Sequence, residues 1–134
     1  MIKYSVIFSF HNQAENISIL LDRLSNVINR DDIEVVFVNN ASSDIDAVKF
    51  NSYMDDYDFL KCISLSEYTD DDYGVLYGLK HSEGEYLGWS NTDLQTDPAD
   101  LLRAIQLMEI ANDPKLCFVK GTIKHRGLLE KLLL

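Results

Sequence analysis

The chain has 134 residues, 46% of them hydrophobic, enough for one ordinary core and too few for two. Twelve basic residues against 22 acidic ones leave a formal charge of −10, which repels a nucleic-acid backbone or an anionic membrane surface at long range and argues against either as a partner. Two cysteines, Cys62 and Cys117, both inside apolar runs, are too few for a disulfide framework and read as buried free thiols of a reducing compartment.

Tyr4 to Phe10 (YSVIFSF) is short, β-branched and aromatic with almost no polar alternation, as expected of a strand covered on both faces. Met1-Ile2-Lys3 leads straight into it without a signal-peptide pattern. Ile17, Leu20, Leu21, Leu24, Val27 and Ile28 then recur at three- and four-residue steps, predicting a helix from about Ala14 to Asn29. Glu34 to Val38 reads as a second buried strand. Ser42-Ser43-Asp44 offers an N-cap for a short helix reaching about Met54, and Phe59 to Leu65 is a third strand.

The acidic stretch Glu67 to Asp72, with Asp70-Asp71-Asp72 read as a solvated loop, leads into an amphipathic segment over Tyr73 to His81. Gly84 is expected to close that helix, and Tyr86 to Ser90 to form strand four. Asp97 is expected to cap a helix opened by Pro98 and carrying Leu101, Leu102, Ile105, Leu107 and Met108, which stops near Asn112-Asp113-Pro114 before a fifth apolar run at Leu116 to Val119. No apolar run approaches the roughly 18 residues that span a bilayer, so no transmembrane segment is expected and the chain reads as cytoplasmic, the cytoplasmic face of a membrane included.

Strict βα alternation with buried strands argues for an α/β fold with a doubly wound, mostly parallel sheet and helices on both faces, whose ligands bind beyond the carboxyl ends of the strands. Those ends are His11-Asn12-Gln13, Asn39-Asn40-Ala41-Ser42, Glu67 to Asp72, and Asn91 to Asp97, all polar. Neither the glycine-rich dinucleotide fingerprint nor the phosphate loop is present, so a phosphate-bearing ligand needs another way to lose its charge. A hard divalent cation provides one, and Asn91, Asp93 and Gln95 supply oxygens for it. An EF-hand loop does not fit, because Thr96 stands where the sharp turn demands glycine. Asp93 reads as a solvated loop acid or as a ligand at the binding edge.

Four motifs carry a resemblance to family-2 glycosyltransferases of the GT-A type, especially their polyprenyl-phosphate-linked (dolichol-phosphate mannosyltransferase-like) branch. Ser5 to Ile17 is similar to the opening S-V-V-I-P-x-Y-N-E-x-E-N-I, which cradles the nucleotide, with Ser9 in place of the proline and Gln13 in place of the glutamate. Glu34 to Asp44 resembles E-I-I-x-V-D-D-G-S-x-D, with Asn39 where an aspartate contacts the base. Gly78 to Tyr86 resembles G-L-x-x-A-x-G-E-Y, and Asn91 to Pro98 resembles the D-x-D-L-Q metal motif with Asn91 as its first member.

The resemblance implies a GT-A Rossmann-like fold and inverting transfer of a sugar from a nucleotide-diphosphate donor to a polyprenyl phosphate or glycan acceptor, as in cell-envelope glycan biosynthesis. It assigns Ser9, His11, Gln13, Asn39 and Asn91 to the nucleotide sugar, and Asn91, Asp93 and Gln95 to Mg2+ or Mn2+. An amide at position 39 both donates and accepts, which alters base preference. An amide at position 91 removes a charge, which makes metal binding depend on the donor's phosphates. The match covers roughly residues 4 to 120, Lys120-Gly121-Thr122 resembling K-G-[ST]-R with Ile123 in place of the arginine. The whole chain, 1–134, is therefore read as one nucleotide-sugar-binding portion. The apolar ending GLLEKLLL suggests truncation, with the catalytic base and acceptor half in sequence beyond. Two alternatives stand beside this reading. One is a non-catalytic nucleotide-binding remnant, motivated by asparagine at positions 39, 40 and 91. The other is a receiver-like signalling domain, disfavoured because strand one ends in His11-Asn12-Gln13 and not in paired acids.

Overall fold

A computed structural model describes residues 1–111 and 119–120. Two compact units divide the chain, Met1–Ala99 and Asp100–Leu134. In the first, β1 (Tyr4–Phe10) is followed by a single 3-10 turn (Ala14–Asn16) and α1 (Ile17–Val27). Then come β2 (Ile33–Asn40), α2 (Ala47–Asp56), β3 (Leu60–Leu65), α3 (Asp71–Lys80) and β4 (Tyr86–Ser90). α4 (Ala99–Glu109) accounts for most of the described part of the second unit; Arg103 Nη1 donates to Asp100 Oδ1 at 2.6 Å one turn earlier, and Ile105 is buried. The predicted stop at Asn112–Pro114, nearly all of the fifth apolar run, Cys117 and the ending GLLEKLLL lie outside the described residues.

The four strands pair in parallel in the order β3-β2-β1-β4. All eight residues of β2 and six of the seven of β1 are buried, the signature of central parallel strands covered on both faces. The register sets Phe8 beside Phe37 and Ile7 beside Val36, so the pleat divides the core in two. Phe8 and Phe10 meet Phe37 edge-on across one face, at centroid distances of 5.7 and 4.8 Å. Ile7, Val36 and Val38 form the other face under Tyr77 and Leu79 of α3. Each such side chain, once fully buried, stabilises the fold by about 1.5–3 kcal/mol.

Crossover handedness decides which helix covers which face. β1 to β2 and β2 to β3 step the same way across the sheet, and β3 to β4 steps back past both. Right-handed crossovers therefore put α1 and α2 on the Phe8–Phe37 face and α3 on the Ile7–Val38 face. α1 buries Ile17, Leu20, Leu21 and Leu24 of the predicted stripe, while Val27 and Ile28 are half-buried and the helix runs over Ile17–Val27, shorter than the expected Ala14 to Asn29. α3 comes close enough that a Cβ on Gly78 would stand 2.9 Å from Val38 Cγ2 and run into Ile7 Cγ2.

Several local expectations are corrected. α2 is capped by Asp46, whose Oδ1 accepts the Lys49 N–H at 2.9 Å, and not by Ser42-Ser43-Asp44, which fasten two loops together instead. Asp70 is no solvated loop acid: its Oδ1 accepts the Tyr73 N–H at 2.7 Å as the cap of α3, and Asp71 and Asp72 occupy the first turn, where carboxylates offset the helix dipole. α3 ends at Lys80 with His81 as its C-cap, three residues before Gly84. Gly84 serves a different contact, its N–H donating to Ser5 Oγ at 2.8 Å with no room for a side chain. Ser5 Oγ in turn donates to the buried Glu34, which also accepts the Glu83 N–H, so a buried carboxylate that reads as part of a strand motif locks β1, β2 and the β4 approach together.

Candidate donor-binding site

In the order β3-β2-β1-β4 the chain reverses direction across the sheet between β1 and β4, and an open α/β sheet binds ligands at such a reversal, beyond the carboxyl ends. The loops that meet there are His11–Gln13 after β1 and Asn91–Gln95 after β4, with the β2 loop beside them. An open concavity of about 1050 Å³ lies at the opposite edge, lined among others by Arg30, Asp32, Tyr57 and Lys61. Its lining comes from the amino ends of β2 and β3, and its main feature is an Arg30–Asp32 pair at 2.8 Å that holds the Asp32 carboxyl below its usual range. Segments before β2, β3 and β4 line it, but it lies at the amino ends of the strands, away from the carboxyl edge where an open α/β sheet binds its ligand.

Backbone strain is concentrated at the carboxyl edge. Among the described residues the non-glycine positions with positive φ are Asn12 (56°), Ala41 (52°) and Leu94 (66°), one in each loop after β1, β2 and β4. Asparagine tolerates this region, and here its side chain is used as well. Asn12 Oδ1 accepts both the N–H and the hydroxyl of Ser43, at 3.0 and 3.1 Å, and Asn12 N donates to Ser42 Oγ at 3.0 Å. Asp44 Oδ2 accepts the Ala14 N–H at 3.1 Å. Ser42, Ser43 and Asp44 thus tie the β2 loop to the β1 loop.

His11 is placed by two neighbours. Its Nδ1 lies 2.8 Å from the Asn40 carbonyl, which can only accept, so Nδ1 is the donor of that contact, and Nε2 lies 3.4 Å from Asn12 Nδ2. Tyr68, from the loop after β3, stacks on the imidazole at 3.9 Å. The Tyr68 hydroxyl donates to Asp71 Oδ1 at 3.1 Å, and that hydrogen bond raises the phenol above its ordinary pKa. Asn39 is buried and its Oδ1 accepts the Ser42 N–H at 2.9 Å, which leaves its NH2 as the remaining polar group. Asn40 donates to the Asp70 carbonyl at 3.0 Å, while its buried Oδ1 has no partner.

The β4 loop is held from the side of α1. The Thr92 hydroxyl donates to Gln13 Oε1, Asn16 Nδ2 donates to the Thr92 carbonyl at 2.8 Å, and Arg23 Nη1 donates to the Leu94 carbonyl at 3.0 Å. Thr92 is buried, whereas Asn91, Asp93 and Gln95 are exposed. Asp93 Oδ1 accepts the Gln95 N–H at 3.1 Å, so its other oxygen is uncommitted. Asp97 Oδ1 accepts the Ala99 N–H at 2.9 Å, the capping task expected of it.

The predicted site residues therefore fall into three places. Asn91, Asp93 and Gln95 project from one loop, His11 and Gln13 from the facing loop, and Asn39 from the buried end of β2. Ser9 lies one position before the end of β1, on the α3 side, where a Cβ on Gly74 would strike its hydroxyl. Thr92, Asn16, Arg23, Asn12 and Tyr68 were missed. Thr92 stands inside the motif between residues whose carboxylate and amide side chains are the better ligands; Asn16 and Arg23 carry a weak signal, a seven-residue spacing that puts both on one face of a helix.

Among the described residues no group of three or more His, Cys, Asp or Glu side chains is arranged to hold a metal ion. The donor set of the β4 loop is one carboxylate and two amide oxygens, all hard ligands. It fits Mg2+ or Mn2+ only as part of a shell that an anionic ligand completes. Among the described residues no helix is long and apolar enough to cross a membrane.

The model of the glycosyl transferase family 2 matches residues 5–125, and the chain belongs to that family. No curated protein sequence matches it. Among solved structures, the mannosyltransferase PcManGT from Pyrobaculum calidifontis, in complex with GDP-Man and Mn2+, has a TM-score of 0.67 at 24% identity, covering 78% of this chain and 31% of its own. Residues 1–349 of S. aureus TarS give 0.65 at 23% identity, covering 81% and 32%. The same TarS segment in complex with UDP gives 0.60 at 23% identity, covering 81% and 33%. These likenesses establish the GT-A fold, and the chain spans about a third of the length of those structures.

Proposed function

We propose that this chain binds the nucleotide-sugar donor of an inverting family-2 glycosyltransferase. The observation that carries the reading is the facing pair of loops at the switch point: Asn91, Asp93 and Gln95 exposed on one, His11 and Gln13 on the other, fastened by the Gln13–Thr92 bond. Relatives of the same fold hold GDP-Man with Mn2+ or UDP, which supports a nucleoside diphosphate as the ligand class here. A bound Mg2+ or Mn2+ would neutralise the diphosphate and stabilise it as a leaving group.

The chain's own residues bind and orient. Asp93 offers its uncommitted oxygen to the cation, with the carbonyl oxygens of Asn91 and Gln95 beside it. Asn39, with Oδ1 taken by Ser42, presents N–H donors to a base edge and so selects a base carbonyl, where an aspartate would select a base N–H. His11 lines the nucleoside side of the crevice, with Tyr68 stacked behind it. Ser9 contributes from the end of β1. In the transfer, an acceptor oxygen attacks the anomeric carbon from the face opposite the diphosphate. The bond to the diphosphate oxygen breaks with its electron pair, and a base takes the acceptor proton. No described residue is assigned that base, and the acceptor would be a polyprenyl phosphate or a glycan met in the cytoplasm, the cytoplasmic face of a membrane included.

Calorimetric titration with a panel of nucleotide sugars, with and without Mn2+, tests the reading on this chain and on Asp93→Ala. Metal-dependent binding of at least one donor is expected, and Asp93→Ala should weaken it about tenfold or more, the equivalent of losing a charge-assisted contact. Absence of metal-dependent binding to every donor would sink it.

A further inference from the structure

The two carbonyls that flank Asp93 in the chain, those of Thr92 and Leu94, are both taken by side chains of α1 and its cap, Asn16 at 2.8 Å and Arg23 at 3.0 Å. Asn16 and Arg23 are seven residues apart, two helical turns, and so share one face of the helix. Leu94 stands at φ 66°, a conformation that a residue with a Cβ adopts only when its surroundings hold it there. Leu94 is half-buried, and among the described residues no hydrogen bond other than that from Arg23 reaches its carbonyl, so the guanidinium is the polar group that secures it.

We infer that Arg23 is a positioning residue of the donor site: by holding the Leu94 carbonyl it keeps Leu94 left-handed, and that turn sets where Asp93 points. This rests on the assignment of Asp93 to the donor's cation and diphosphate. Asn16 secures the residue before Asp93 and Arg23 the residue after it, so the backbone on either side of the exposed carboxylate is anchored to one rigid helix. Arginine suits the task because its side chain crosses from an exposed helix position and presents a directional N–H fork, which lysine does not.

The test joins an unliganded readout to a binding one. In the free protein, amide hydrogen exchange at Gln95, whose N–H is bonded to Asp93 Oδ1, should quicken in Arg23→Ala while the amides of β1 and β2 stay as protected as before. In calorimetry with UDP and, in parallel, GDP in the presence of Mn2+, Arg23→Ala should bind about three- to tenfold more weakly. Adding Leu94→Gly, which accepts positive φ without strain, should return most of that loss. A simple loss of fold stability or a lost contact between Arg23 and the ligand would not be recovered by a glycine at position 94. Unchanged exchange in Arg23→Ala overturns the inference, and so does a binding loss that Leu94→Gly leaves in place. If the unaltered chain binds neither nucleotide, the donor-site assignment of Asp93 fails, and the exchange measurement alone decides whether Arg23 sets the loop.

Discussion

Ala41 occupies the turn that leaves β2, at φ 52°, and aligns with the glycine of the family motif E-I-I-x-V-D-D-G-S. The motif's glycine thereby acquires a physical reason: the chain must pass through the left-handed region so that Ser42 can return its N–H to Asn39 and its hydroxyl to the Phe10 carbonyl, at 2.9 and 3.1 Å. An alanine there costs about 1–2 kcal/mol, whereas a glycine adds about 0.5–1 kcal/mol of unfolded-state entropy to be lost. Ala41→Gly should therefore raise stability by about 0.5–1 kcal/mol, seen as a higher urea midpoint at unchanged slope. A midpoint that falls would show that the alanine is unstrained. Cys62 illustrates the opposite case, a residue whose role is only to fill space: burial pushes its thiol up to about 12, so it stays protonated and inert across the physiological range.

Among the elements, α3 shows most clearly how packing overrules propensity. It carries Gly74 and Gly78, each of which lowers helix stability by about 1 kcal/mol relative to alanine. Both face the sheet, where Gly78 lies on Ile7 and Val38 and Gly74 on Ser9 and Asn40. The close approach brings Tyr77 and Leu79 down onto the strands and sets the N-terminus of α3 beside the end of β2, where Asp70 offers its carbonyl to Asn40. Gly78→Ala gains the propensity but forces a methyl into Ile7 and Val38, and overpacking costs about 1–3 kcal/mol. The packing term wins, so a net loss of about 1 kcal/mol is expected on urea unfolding. A stabilised variant would mean that α3 can lift off the sheet without cost. Legibility at this scale was good where a period or a cap is local: β1 and β4 have the predicted bounds, and α1 buries most of its predicted stripe. It failed at α2, because Ser42, Ser43 and Asp44 are fit to cap a helix and nothing within ten residues reveals that Asn12 and Ala14 already claim them.

For the molecule as a whole, a charge of −10 surrounds a site proposed to take an anionic donor. Screening should then help and not hinder encounter. Raising ionic strength from 0.01 to 0.15 M shortens the Debye length from about 30 to about 8 Å, and the association rate of a fluorescent nucleotide, followed by stopped flow at saturating Mn2+, should rise severalfold. A rate that falls with salt would reveal local positive potential at the crevice strong enough to outweigh the net charge.

The sequence alone determined the class of fold, the order of strands and main helices among the described residues and the polar character of the four strand ends, because hydrophobic period, caps and turn residues act over a few positions. It also determined the family, through short motifs. The strand order and the tasks of the polar residues were decided only by tertiary structure. Gln13 and Thr92 are 79 residues apart, and Arg23 and Leu94 are 71 apart. Whether a polar side chain at a strand end meets a ligand or fastens a loop depends on which distant loop the crossovers bring beside it, and spacing along the chain carries no record of that.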